Sequence, residues 1–372
     1  MPDLLQAFRS LRRTPGFTVL AVLTLGLAIG VTAGLFSVID AVLLNPLPFA
    51  DSDRLITITA SAPGSDMPDE FGVAAEFYVQ YAEESTLLES VSTYNSFTNT
   101  LRVDDQIERI RMSAPTPTLF ETLGVSPIRG RLPVAEDEGG VVVISHALWM
   151  TWFGGAEDVL GRTVYAGGED RTIIGIMPRD FWFPVDGTLL WFPDTIRAED
   201  IRPGRFGQPL VARVAPGTSD DALKAELTML AQRLPDRFGI ESADYLRLLE
   251  QFRPVVQPLE TRLLGDVARP LWILLASMAI VLLIACANVA NLFMVRAERR
   301  QAEQAIRTAL GAARGRLIAA QLGEASVVAA LAGAVAVALA WAGVPLLLHV
   351  APDNVPRLGE VSIGPSTLLA TF

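Results

Sequence analysis

Ser145 and His146 are neighbours at the end of the apolar run 141–145, VVVIS, and a serine beside a histidine is the first pair to test for nucleophilic chemistry. Such a pair needs a third group to orient the base, and none accompanies it. The only other histidine is His349, and the single cysteine, Cys286, lies in an apolar run with no second thiol. A histidine-rich or cysteine-based metal centre and a disulfide framework are therefore excluded. Three acidic clusters, Asp104-Asp105, Glu136-Asp137-Glu138 and Asp220-Asp221, have the right residue types for acid–base or cation chemistry. No Gly-rich metal loop or nucleophile motif accompanies them, and they fit solvated turns and helix starts. The aromatic run Phe181-Trp182-Phe183 with Trp191-Phe192 offers a ligand platform, against the commoner use of such residues as core or docking face. No catalytic, cofactor-binding or metal-binding residue is assigned, and the sequence is not that of an enzyme.

The elements around these residues are mixed. Short β-rich segments at 55–59, 141–145, 163–165, 172–177 and 210–214 alternate with helical ones. Pro216-Gly217 turns the chain into a helix opened by Thr218-Ser219-Asp220-Asp221, whose Leu223, Leu227, Leu230 and Leu234 recur at helical spacing. One face of that helix must pack against a sheet. Residues 45–269 thus predict an α+β domain of two lobes, large enough for its own core.

The flanks are of another kind. Half of the 372 residues, 51%, are hydrophobic, which departs from soluble composition. Residues 16–39 are 24 residues without a charge and residues 271–295 another 25, each longer than the ~20 needed to cross a hydrocarbon core. A third run, 317–350, is interrupted only by Glu324. Because a carboxylate is costly inside a bilayer, the third span is expected to begin near Ala325, with Glu324 at the interface. Net charge, -11 overall, is divided: residues 45–269 hold 34 acidic and 20 basic residues, whereas 1–15 and 296–317 together hold nine arginines and three acids. The positive-inside rule puts both arginine-rich segments, and the N-terminus, in the cytoplasm and the acidic block outside. A cleaved signal peptide is a poor fit, since its apolar core would be far shorter.

The expected fold class is an α-helical transmembrane protein, three spans present, with a large α+β extracytoplasmic domain inserted between the first and second spans. The boundaries are 1–15 for a cytoplasmic amphipathic helix, 16–44, 270–295 and 318–350 for the spans, 45–269 for the external domain, 296–317 for a cytoplasmic helix, and 351–372 for an external loop and the start of a fourth helix. In 1–15, Leu4, Leu5, Phe8 and Leu11 oppose Arg9, Arg12 and Arg13, the pattern of a helix lying on an anionic leaflet. Gly26, Gly30 and Gly34 leave a smooth stripe for close helix packing, as do Ala332, Ala336 and Ala340, within the chain or in a homodimer. No span carries the serial ionisable groups of an ion route.

Residues 301–317, QAEQAIRTALGAARGRL, place Ile306, Leu310, Ala313 and Leu317 on one stripe, with Glu303 and Arg307 an i, i+4 pair. The stretch from Leu283, LIACANVANLFMVRAERRQAEQAIRTALGAARGRL, resembles the FtsX-like permease domain of the MacB type. So does the N-terminal FRSLRRTPGFTVLAVLTLGLAIGVTAGLFSVIDAVLLNPLPF, and VLGRTVYAGGEDRTIIGIMPRDFWFP is similar to the MacB-like periplasmic core domain. The resemblance extends over essentially the whole chain and is nearest to the duplicated orphan permeases (ADOP), in which this module occurs twice.

The resemblance implies a multi-pass inner-membrane permease subunit of type VII ABC systems, which couple ATP hydrolysis to movement of an external domain by mechanotransmission, for export or efflux. No G-x-x-x-x-G-K-[ST] occurs in the chain, so the cytoplasmic ATPase would be supplied in trans. A periplasmic adaptor, a homodimer or second permease module, and the lipid bilayer are the further implied partners; nucleic acid and cofactors are not. Carried onto this sequence, the family's coupling helix falls on Glu303, Ile306, Arg307, Leu310, Gly311 and Arg314, its apolar stripe docking on the ATPase and Gly311 turning the chain toward the third span. Gln304 departs from the family's usual aliphatic residue, and GEASVVA from Gly323 departs from its usual pattern while keeping Glu324. Family modules have four spans, so the end at SIGPSTLLATF is expected to mark a chain truncated before the fourth. The alternative reading is a membrane-anchored extracytoplasmic binding or scaffold protein, such as an FtsX-like regulator of cell-wall hydrolases.

Overall fold

The structure is a computed structural model and describes residues 11–12, 14–40, 47–137, 139–265, 268–299, 301 and 314–350. The chain forms two compact units, one of Pro46–Gly265 and one drawn from the residues on either side of it.

The flanking unit consists of three long helices, Pro15–Ile39, Ala268–Arg299 and Arg314–Val350. Each holds a stretch long and apolar enough to cross a membrane: Pro15–Ser37, Arg269–Arg299 and Gln321–Gly343. The first helix opens on Pro15, whose missing N–H is harmless in a first turn. The second and third have 32 and 37 residues, which at 1.5 Å per residue makes them about 48 and 55 Å long, well beyond a hydrocarbon core of about 30 Å. Leu283 is 71% exposed and Trp341 76%; apolar faces this open belong against lipid.

Two expected boundaries move. The third helix starts at Arg314, so Glu324 lies inside a continuous helix and inside its apolar span. Residues 296–299 still belong to the second helix and 314–317 already to the third, so the second helix ends and the third begins within the expected 296–317 segment. Hydropathy marks where charges begin, whereas backbone hydrogen bonding continues through a charged residue.

The other unit runs β1 (Leu55–Ser61), α1 (Ala75–Glu84), β2 (Leu88–Thr93), β3 (Phe97–Val103), β4 (Gln106–Ser113), α2 (Leu119–Leu123), β5 (Arg129–Gly130), β6 (Val141–Ile144), α3 (His146–Phe153), β7 (Thr163–Ala166), β8 (Glu169–Ile176), β9 (Thr188–Trp191), β10 (Leu210–Val214), α4 (Asp220–Gln232), α5 (Leu234–Phe238), α6 (Ala243–Gln251), β11 (Arg253–Pro258) and α7 (Leu259–Leu264). Four strands form an antiparallel sheet in the order β11-β1-β10-β2, and seven form a mixed sheet in the order β5-β8-β6-β9-β4-β3-β7. Because β7 also pairs with β8, six of the seven close into a ring. The whole second sheet is inserted between β2 and β10, which are neighbours in the first; Thr93 at the end of β2 faces Leu210 at the start of β10.

Three cores hold this unit. Phe77 and Tyr81 of α1 and Leu223, Leu227 and Leu230 of α4 pack with Ile58, Leu210 and Ala212 of the four-stranded sheet. Leu101, Met112, Val142, Ile144, Ile173 and Leu190 form the core of the strand ring. A third core joins the sheets, with Leu55 and Val211 from one and Val143 and Trp191 from the other around Phe49, Phe120, Phe181 and Phe183.

The β11 edge of the four-stranded sheet is blunted. Ala60 exchanges both backbone hydrogen bonds with Phe71, so by alternation Thr59 and Ser61 turn toward β11. Their partners Val255 and Arg253 turn inward, which leaves Pro254, Val256 and Pro258 facing out. Two of these three lack an N–H, which discourages pairing with a further strand.

Candidate functional site

The glycine stripe of the first helix meets the alanine stripe of the third. A Cβ on Gly26 would lie 3.0 Å from Val335 Cβ and 3.1 Å from the Ala332 carbonyl oxygen; one on Gly30 would lie 3.0 Å from both the Ala336 carbonyl oxygen and Leu339 Cβ. Gly34 is also buried, and Ala332, Ala336 and Ala340 are buried. Here the stripe on Gly26 and Gly30 packs against the third helix of the same chain. Only residues without side-chain bulk allow two helix backbones this close.

A polar contact lies in the same three-helix unit. Arg296 Nη2 of the second helix is 3.2 Å from Glu324 Oε2 of the third, with the two side chains only 10% and 13% exposed. The Arg296 guanidinium also stacks over the Phe17 ring of the first helix, 4.4 Å from its centroid. Phe17 in turn meets Phe293 edge-on at 5.2 Å. Sequence reasoning singled out Glu324 as a lone charge and missed this partner; the available signal was an arginine immediately after the second apolar run and a carboxylate near the start of the third. Of the expected coupling residues, Glu303, Ile306, Arg307, Leu310 and Gly311 lie outside the described residues, and Arg314 is described as the first residue of the third helix. The amphipathic stretch 1–10 and residues 351–372 lie outside them too.

In the other unit the candidate chemical groups have structural roles. Ser145 caps α3, its side chain accepting the Leu148 N–H at 3.0 Å, and His146 sits edge-on to Trp149. Asp104-Asp105 form the β3–β4 turn, with Asp104 at φ +50. Asp137 accepts two hydrogen bonds from Arg131 at 2.7 Å and one from the Val134 N–H. The Arg131 contact, more than the backbone N–H, holds its carboxyl below the ordinary aspartate value. Asp220 and Asp221 lie in the first turn of α4, behind the Ser219 cap, where the helix dipole favours negative charge. Phe181, Trp182, Phe183 and Trp191 are core residues, and Phe192 belongs to the core of the strand ring. An open groove of about 740 Å³ between α4 and β11 is lined by Lys224, Met229, Arg253 and Val256. Its one hydroxyl, that of Thr228, donates to the Lys224 backbone carbonyl. Among the described residues, no three His, Cys, Asp or Glu side chains gather to hold a metal ion.

Residues 18–230 match the family model of the MacB-like periplasmic core domain, and residues 275–369 that of the FtsX-like permease C-terminal region. The chain belongs to the MacB/FtsX-type permeases. Over 251 residues it is 26% identical to the macrolide export ATP-binding/permease protein MacB of Neisseria meningitidis serogroup A, and equally to that of serogroup B; the match covers 66% of this chain and 37% of those proteins. It is also similar to the solved periplasmic region of MacB from Actinobacillus actinomycetemcomitans, at 17% identity and a TM-score of 0.41, covering 59% of this chain and 95% of that one. A permease-protein domain from Porphyromonas gingivalis (18% identity, TM-score 0.44, 56% and 92% covered) and the extracellular domain of the noncanonic ABC-type transporter YknZ from Gram-positive bacteria (16%, 0.38, 54% and 99%) are further similar structures. Its apolar helices are of membrane-spanning length, and the α+β domain between the first and second of them corresponds to the extracytoplasmic domain of this inner-membrane permease family.

Proposed function

We propose that this MacB/FtsX-type permease transmits work rather than conducting a substrate: a separate cytoplasmic ATPase moves its helices, and they move the extracytoplasmic domain, for export or efflux. The observation that carries this reading is the length and packing of the helices. Two helices of 32 and 37 residues are rigid rods longer than the bilayer, and the first helix packs against the third backbone to backbone. Such a bundle is suited to move as a body. Lys224 is the one lysine, and no Walker-type phosphate loop occurs in this sequence, so in this reading the ATP chemistry is supplied by a separate ATPase.

In this reading the cytoplasm-facing stretch Glu303, Ile306, Arg307, Leu310, Gly311 and Arg314 docks on the ATPase, and the extracytoplasmic domain engages a periplasmic adaptor or a second permease module. Co-purification with a cytoplasmic ABC ATPase of the same cell, together with ATP-dependent change in spin-label distances on the extracytoplasmic domain, tests the proposal. Distances that ignore ATP in an intact complex would reduce the chain to an anchored scaffold.

A further inference from the structure

We propose that Arg296 and Glu324 form a clasp between the two helices that precede and follow the ATPase-docking stretch in sequence, which makes them positioning residues for energy transfer; this inference rests on the proposed function above. The two residues stand on different helices, one shortly before that stretch and one shortly after it. Their 3.2 Å contact therefore joins the two helices that bracket the stretch, about 15 Å along the third helix from Arg314. Any displacement of it must then reach the second and third helices together.

The same guanidinium extends the clasp to the first helix. Phe17 is held from one side by Arg296, at 4.4 Å, and from another by Phe293, one turn earlier on the same helix. Around them Leu11, Val289 and Val328 are buried, with Leu292 and Val327 packed against them. All three helices thus converge on one arginine head group. An arginine suits this place because its planar cation stacks on a ring and bonds a carboxylate at once, which lysine does less well.

Stability alone does not explain the choice of residues. In a site this shielded from water, a well-packed apolar pair holds two helices at least as well as an ion pair, while a charge left single is costly. What an ion pair adds is register, since each partner is satisfied in one relative position of the helices. A bundle that has to move as a unit needs that register.

The test uses the full chain in nanodiscs with its ATPase. Arg296→Gln and Glu324→Gln should each leave ATPase recovery within about twofold of the parent, yet reduce ATP-dependent movement of spin labels on the extracytoplasmic domain at least tenfold. The double variant Arg296→Gln/Glu324→Gln should be milder than either single, because it removes both charges of the contact together. Arg296→Lys should fall between. Full movement in the single variants, or a double variant as impaired as the worse single, would overturn the clasp. If the single variants fail to fold, the double variant and Arg296→Lys still decide the matter, since a merely structural pair predicts no loss of movement once folding is restored. Loss of ATPase recovery in all variants would also overturn it. Loss of association in Leu310→Asp concerns the docking stretch alone and separates the two proposals.

Discussion

Glu226 on α4 accepts hydrogen bonds from both the backbone N–H of Thr86, at 2.8 Å, and its hydroxyl, at 2.7 Å. Ser85 Oγ at 2.7 Å and the Leu87 N–H at 3.3 Å complete the set. One carboxylate thus ties α4 to the link between α1 and β2. Burial alone would raise its pKa, and these bonds override it, so the folded value lies below the ordinary one.

The sign of the pH effect follows. A depressed folded pKa contributes stability that is present above the unfolded value of about 4.3 and is lost as the pH falls through the folded one. Glu226→Gln should therefore lower stability by about 1 kcal/mol near neutrality, toward the low end for charged hydrogen bonds because the group is partly solvated. The gap between variant and parent should narrow in acid. Thermal melts at neutral and acid pH check this, and a constant gap would show that the carboxylate's charge is irrelevant.

Gly30→Leu should separate the first and third helices, because even a Cβ there meets the Ala336 backbone at 3.0 Å. Overpacking of this kind costs about 1–3 kcal/mol. The readout is a lower melting temperature in detergent, accompanied by a larger spin-label distance between the two helices. Unchanged values would mean that the seam is looser than described.

Ser145→Ala removes the α3 cap and should cost about 1 kcal/mol while leaving transport unchanged. Differential scanning calorimetry beside a transport assay separates the two effects. A transport defect at parental stability would restore a chemical role to the Ser145–His146 pair.

If the coupling stretch docks on the ATPase as proposed, Leu310→Asp should abolish that association without disturbing membrane insertion, because it would bring an unpaired charge into a desolvated contact. Pull-down of the ATPase from solubilised membranes is the measurement. Arg314→Gln should weaken recovery less, as one of several rim charges.

Much of this fold was legible because its signals are local. The runs at 55–59, 141–145, 163–165, 172–177 and 210–214 correspond to β1, β6, β7, β8 and β10, and the cap before Asp220 opens α4 as expected. β3 and β4 escaped notice: FTNTLRV and QIERIRMS are largely polar, and they are strands because they pair with each other residue by residue. Such pairing is a property of the partner as much as of the segment. The same limit hid the Arg296–Glu324 contact. A carboxylate in an apolar run signals expense, and only the packed helices show what offsets it.

The insertion of one sheet within another has a consequence for the order in which the molecule assembles. Thr93 and Leu210 face each other across adjacent strands although 116 residues intervene. An unfolded insert would charge that pairing the full entropy of a long loop. Once the strand ring has formed, its two ends emerge side by side and the loop is already closed. The middle of the chain is therefore expected to fold first, and the sheet that frames it waits for both a central lobe to finish and its own last strand, β11, to leave the ribosome.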